Sequence, residues 1–406
     1  MGLPGVRVTP ERVELIPRCQ GEGKIAAIIG PSGVEIESGE DMVIRHIEFY
    51  DELLDYYDDL AEGGRLLGAV AQFFYEARLC HDIERCPVEH LYVIDIGATD
   101  NLDVPDIIDR YLQAVKLIED SDASIDLEAY VDAGDLVGLD SVEHGGQQRP
   151  NAFVYLMQQV DQHLYKSLHG DPAMGYSNFP QPITAIAPTP KQAGLEDIKR
   201  LTDPSEGSGG YIRSSRVALY DNPVNLAGFA GLVSGTYPWE NPGKYTYKTV
   251  SADTIIKRPW SELVQLKEAG INCDWLFKPR SATRYGPVWP VMTSYRKDLA
   301  GQRPVDSTIY ARAAIDHVLK QIIEVAASEI YEMATQDAVN MVKSSGQAII
   351  AKNQSQGTIR NGTIEAYINS DSPNVIDIEL TLTPPESVEE VVIQTSIMAA
   401  GSYIEE

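Results

Sequence analysis

The chain has 406 residues, 43% of them hydrophobic and 8% aromatic, with 60 acidic against 33 basic side chains and a net charge of −27. That length and apolar content suit two or three domains with real cores and exclude a disordered chain, and the acidity excludes a groove that wraps phosphates. Cys19, Cys80, Cys86 and Cys273 are too scattered for a disulfide framework, no apolar run approaches the roughly eighteen residues of a membrane span, and Arg7, Glu11 and Arg12 stand where a signal peptide needs its apolar core, so a soluble compartment is expected.

In chain order, residues 1–23 hold Pro4, Pro10 and Pro17, too many prolines for a helix and well suited to an extended arm. A buried strand follows from Lys24 to Ile29. Helices are predicted from Phe49 to Leu60 and from Leu66 to Ala77, with Gly63-Gly64 breaking the first. Leu91 to Ile96 reads as a second buried strand, Pro105 opens a helix to about Ile118, and Asn151 to Leu168 is helical again before a strand from Ile183 to Ala187. Strands alternating with helices imply an α/β layer with a partly parallel sheet. Loops rich in Gly and Pro at 134–150, 170–182 and 203–210 mark the edges of an inserted, outward-facing domain, and Ser215 to Tyr220 is a further strand.

Toward the C-terminus, Asp306 or Ser307 can cap a helix whose apolar residues Ile309, Ala313, Ile315, Val318, Leu319, Ile322, Ile323 and Ala326 recur at helical spacing. A second helix is expected from Thr335 to about Ser345, closed by Gly346. Ile376, Ile378, Leu380 and Leu382 then alternate with Asp377, Glu379, Thr381 and Thr383, a strand with one buried face. Pro384-Pro385 ends it, and Glu390 to Ile397 is a last β-prone run, able to pair with its own sheet or a neighbour's.

This order of pieces resembles the tail-sheath proteins of contractile-tailed viruses and related contractile injection systems. The likeness rests on the arm PGVRVTP from Pro4, the strand AAIIGPSG from Ala26 to Gly33, the two helices and the strand LYVIDIG from Leu91 to Gly97. EAGIN from Glu268 to Asn272, RYGPVWPVMTS from Arg284 to Ser294 and the closing helix and β-arm complete it. The resemblance implies a mixed α/β fold divided into an arm (1–23), an α/β domain (24–190), a middle or outer part completing the α/β layer (191–303), a helix and β-sheet domain facing an inner tube (304–388) and a C-terminal arm (389–406). It also implies strand exchange between subunits through Val6, Val8, Val13 and Leu15 and through Val391, Val392, Ile393 and Ile397. The implied function is a structural subunit, not an enzyme, that polymerises as stacked, hexameric rings around a tail tube and contracts to drive it through the host envelope. Its partners would be copies of itself, the tube protein, and baseplate and tail terminator proteins. Neither cofactor, metal, direct nucleic-acid contact nor membrane insertion is expected, and the protein would be assembled in the host cytoplasm and reside in the virion tail. The alternatives are a baseplate or capsid component and an α/β hydrolase-type enzyme using Asp95 and Asp100.

Four constellations bear on chemistry. Gly30-Pro31-Ser32-Gly33-Val34 begins like a phosphate loop, but Glu35, Ile36 and Glu37 stand where Gly-Lys-Ser/Thr must follow. Cys80, His81, Cys86 and His90 are zinc-type ligands without a knuckle spacing. Asp120, Asp122, Ser124, Asp126 and Glu128 alternate like a calcium loop, yet Ile125 and Val131 replace its glycine and bidentate glutamate. Gly207-Ser208-Gly209-Gly210 precedes a strand instead of joining one to a helix and reads as a flexible loop. Charge is segregated: residues 82–143 hold 17 acidic and three basic side chains, residues 361–406 nine and none, and residues 191–303 11 and 16. Acidic and basic faces of successive subunits meeting in a polymer would fix register.

Overall fold

The computed structural model describes residues 24–35, 42–48, 52–53, 56–57, 60–79, 90–121, 123–169, 181–207, 209–238, 240–247, 256–277, 284–328, 335–370 and 376–385. Its centre is a mixed sheet of eight strands: β1 (Ala26–Gly30), β2 (Ile44–Ile47), β3 (Leu91–Asp95), β4 (Leu127–Tyr130), β7 (Thr184–Pro188), β8 (Val217–Tyr220), β9 (Ile271–Phe277) and β10 (Arg284–Val288). A small hairpin, β5 (Val142–His144) with β6 (Gln147–Arg149), stands apart from it. The spatial order is β10-β9-β8-β7-β4-β1-β3-β2. The six inner strands run parallel, and β10 and β2 close the two edges antiparallel.

Every residue of β1 is buried, as expected of a parallel strand covered on both faces. Alternation decides which layer each residue joins. Ala27 and Ile29 face a layer containing α2 (Val104–Asp120) and α4 (Ala152–His169), while Ala26 and Ile28 face α1 (Leu60–Leu79) and α6 (Leu226–Gly235). The first layer is completed by α3 (Ala133–Val137), α5 (Leu195–Arg200) and α7 (Trp260–Glu268). The turn into β9 needs Gly270, whose φ of +72° and closeness to the Thr293 carbonyl leave no room for a side chain. Beyond the sheet, α8 (Ile309–Ser328) and α9 (Gln336–Ser355) pack with the hairpin β11 (Asn361–Ile368) and β12 (Ile376–Thr383) around Val318, Ile322, Ile350, Ile359 and Ile364.

Several elements differ from the sequence expectation. Gly63-Gly64 lies inside α1 instead of breaking a helix, and the expected helix from Phe49 falls largely outside the described residues. Gly346 does not end the second C-terminal helix: α9 runs on to Ser355, with Gly346 buried where a Cβ would lie 2.4 Å from Cδ1 of Ile364. The glycine is there for clearance against β11, so its end-of-helix reading fails. The stretch 134–150 is no loop but contains most of α3 and the hairpin β5–β6. Asp306 does not cap α8; its carboxylate accepts a hydrogen bond from Arg312. Neither α6, strand β2 nor strand β11 was anticipated. The α6 sequence LAGFAGLVSG is buried at all ten positions and so lacks an amphipathic period.

Candidate assembly interface

In an open α/β sheet a ligand binds at the carboxyl ends of the strands where the chain reverses direction across the sheet. Here that point flanks β1, because β3 lies on one side of it and β4 on the other. The crevice is occupied by the protein's own groups. Asp95, buried at the end of β3, accepts from the Ser32 N–H at 3.0 Å, the Gly97 N–H at 2.7 Å and the Tyr57 hydroxyl at 2.8 Å. The Val34 N–H turns back to Ser32 Oγ at 3.0 Å. Donors that a phosphate would use are therefore spent on an internal carboxylate, and a Cβ on Gly30 would meet Val131 at 2.8 Å. Asp95 is a structural acceptor and Asp100 is exposed, so the pair proposed as acid and base is not assembled as one.

The calcium-like run is likewise dispersed. Asp126 accepts from the Ile25 N–H at 2.8 Å and pairs with Lys320. Glu128, fully buried, accepts from Tyr130 at 2.6 Å and faces His163 at 2.9 Å, while Glu119 faces the other nitrogen of the same imidazole at 2.9 Å. Burial alone would lower the His163 pKa, but the two carboxylates hold it up at about 9. Among the described residues no three His, Cys, Asp or Glu side chains are gathered about one point as a metal centre. Cys80, His81 and Cys86 lie outside the described residues.

At the opposite, amino-terminal ends of the strands the body holds the C-terminal unit. Arg216, just before β8, donates to both oxygens of Asp316 on α8 at 3.1 and 3.2 Å. Arg312, one turn earlier, donates to Asp316 at 2.7 Å and to Asp306 at 2.8 Å. All three central groups are nearly buried, so the attraction is little screened. Lys320 adds its pair to Asp126 at the start of β4. Lys24, which follows the 1–23 segment, donates to the Val233 carbonyl at 2.8 Å. Sequence reading missed this clamp; its one local signal was the i, i+4 spacing of Arg312 and Asp316.

The unit so held ends in a sheet of only two strands, in which each strand has one edge without a strand partner among the described residues. Isolated two-stranded sheets are marginal in water, and this one leans on α9 through Ile350 and Ile364. Ile378, Leu380 and Leu382 remain half-buried on its inner face. A groove of about 240 Å³ runs between α9 and β11, lined by Gln347, Ile350, Gln354 and residues 362–365. From residue 361 onward the chain has no basic residue. The predicted arm residues Val6, Val8, Val13, Leu15, Val391, Val392, Ile393 and Ile397 all lie outside the described residues.

No family model matches the chain, and no curated protein matches it. Solved structures do. A chain of the anti-feeding prophage baseplate, symmetrised six-fold, matches with a TM-score of 0.61 and 14% identity over 98% of this chain and 100% of its own. The contracted helical sheath of the same particle gives 0.57 and 13% over 98% and 99%, and the contracted sheath complex of the extracellular contractile injection system PVC gives 0.56 and 11% over 98% of each. At these identities the likeness is one of fold: the chain has the mixed α/β fold of contractile sheaths.

Proposed function

We propose that this chain, with the fold of a contractile sheath, is the structural subunit of such a sheath: it polymerises as stacked, six-membered rings around an inner tube and contracts to drive the tube through an envelope. The observation that carries the proposal is the end-to-end likeness to sheath chains in the contracted state, which spans both the α/β body and the C-terminal helix and hairpin unit. A non-catalytic reading is supported by the crevice at the strand ends, which Asp95 and Tyr57 fill from within. Work in such a lattice comes from interfaces that rearrange between two packings, with no nucleotide consumed by the sheath.

The hairpin β11–β12 is the proposed receiving sheet. Residues 6–15 and 391–397 of neighbouring copies would add strands to its two free edges, completing a larger sheet across subunits. The described chain ends near these elements: Lys24 donates to the Val233 carbonyl, and Pro384-Pro385 follow β12 directly. The tube, baseplate and terminator proteins are the further partners this reading requires.

The test pairs microscopy with truncation. Purified full-length protein should form striated hollow tubes, and removal of residues 389–406 should abolish them while circular dichroism keeps its helical signal. Ile393→Pro should act like the truncation, since proline removes a ladder donor, whereas Ile393→Val should be nearly silent. Normal tubes from the truncated chain would overturn the linkage, and a discrete oligomer from the full chain would overturn the sheath.

A further inference from the structure

The edge of the main sheet beyond β8 is held by little backbone. β8 and β9 are paired at two positions, Leu219 with Ile271 and Tyr220 with Asn272, whereas β9 and β10 share five. Past Asn272, the β9–β10 hairpin therefore depends on side chains for its hold on the body. Alternation along β9 sends Cys273 into the layer of α2 and α4 and Asp274 to the opposite face, toward α1 and α6. There Asp274, 5% exposed, meets two phenols. One belongs to Tyr220, which ends β8 and stacks on Phe229 of α6 with ring centroids 4.6 Å apart. The other belongs to Tyr247, whose backbone N–H donates to the Tyr285 carbonyl of β10 at 2.7 Å.

The three groups form a ring of oxygens. Tyr220 Oη lies 2.8 Å from Tyr247 Oη and 2.7 and 2.6 Å from Oδ1 and Oδ2 of Asp274, and Tyr247 Oη lies 3.1 Å from Oδ1. Two phenols bring two protons to three links between groups. A third proton, on the carboxyl, lets each group donate to the next and closes the ring. Ionised, Asp274 leaves one link without a proton and keeps a buried charge that no cation offsets. Its remaining partner, Nδ2 of Asn222 at 3.1 Å, is a neutral donor. Arg258 is committed to Asp221 at 2.5 and 3.1 Å and to Glu262 at 3.3 Å. The other titratable groups about the ring are Asp221, Cys273 and, facing Tyr247 from α1, Glu76, none of which supplies positive charge.

We propose that Tyr220, Tyr247 and Asp274 form a proton-operated latch: with Asp274 protonated the ring closes and pins the β9–β10 hairpin to β8, and with Asp274 ionised the hairpin is loosened. A buried carboxylate without a cation takes up a proton in preference to standing charged. Burial pushes the Asp274 pKa up to about 6 against the hydrogen bonds from Tyr220, Asn222 and Tyr247, and the charge of Asp221 acts in the same sense as burial. The latch is therefore closed in mild acid and loosened at neutral pH.

The experiment is amide hydrogen exchange in β9 and β10 of the full chain from pH 4 to 7, corrected for intrinsic rates. Opening returns Asp274 to its ordinary pKa of 3.8, so the closed state holds the proton more tightly and protection is greatest in acid. Protection should fall as pH rises through 6, roughly a hundredfold in all, and level off above. Asp221, which burial also holds above its usual range, titrates in the same interval, so the comparison with Asp274→Asn assigns the change. That variant cannot ionise; it should lose most of the fall and be better protected than the parent at pH 7. Tyr220→Phe, which takes a donor from the ionised carboxylate, should move the midpoint of the fall above 6. Superimposable profiles of the parent and Asp274→Asn overturn the proposal. So does a midpoint that Tyr220→Phe leaves in place or lowers.

Discussion

At Gly231 a single missing methyl sets the distance between two helices. A Cβ there would lie 2.3 Å from the Phe73 carbonyl oxygen, and one on Gly235 would lie 2.5 Å from that of Ala77, so α6 approaches the backbone of α1 as closely as it does only through glycine. Gly231→Ala should cost about 2 kcal/mol of unfolding free energy, because the obstacle is backbone and cannot swing aside. Gly68, on the exposed side of α1 with nothing near, is the control: Gly68→Ala should stabilise by about 1 kcal/mol in the same urea titrations. His163 gives a pH signature. Its pKa rises from 6.5 in the unfolded chain to about 9 between Glu119 and Glu128, so the folded state holds the proton more tightly. The stabilisation is complete below pH 6.5 and is lost as pH rises from there through 9, on the order of 3 kcal/mol in all. Stability should fall in the parent chain from pH 6.5 to about 8, above which the depressed Lys24 ammonium, with a pKa of about 8, begins to offset the loss, and His163→Gln should remove the fall.

At the scale of elements, α8 is tied to the body by charge in a place where sheets and helices are otherwise tied by apolar packing. Asp316 faces both Arg216 and Arg312, and its removal leaves two nearly buried guanidiniums without their shared acceptor. Asp316→Ala should therefore destabilise by about 3–5 kcal/mol, read from denaturant unfolding. It should also raise amide exchange in α8 and α9 before the main sheet, since Val318 and Ile322 belong to the small separate core. A loss confined to the main sheet would count against the clamp. The hairpin is the other element to weigh: eight residues per strand, support from α9, and two edges without a strand partner among the described residues.

For the whole molecule, charge is the property with the longest reach. The hairpin displays Glu365, Asp377 and Glu379 without a basic residue after Arg360, whereas residues 191–303 are net basic within a chain of charge −27. Many cations of that stretch are already spent inside the subunit, as Arg200 on Glu206, Arg258 on Asp221 and Arg296 on Asp203 show. Contacts between acidic and basic faces in a polymer are exposed and screened over about 10 Å at 0.1 M salt. Assembly followed by sedimentation should accordingly change steeply between low and molar salt. A flat yield would leave the terminal arms as the sole link between copies.

The sequence by itself determined the class of this fold and the order of its parts. Hydrophobic period is a local property, so β1, β3, α2, α4, α8 and β12 were all legible, and their succession already resembled a sheath. What the tertiary structure alone decided are the matters of pairing and clearance. Gly346 reads as a helix terminator until Ile364, eighteen residues on, is placed against it. Asp95 reads as a catalytic carboxylate until Ser32 and Tyr57, far away in sequence, donate to it. The α6 sequence carries no period because all its faces are buried. In each case the energy lies in contacts between residues distant along the chain, about which local spacing carries no information.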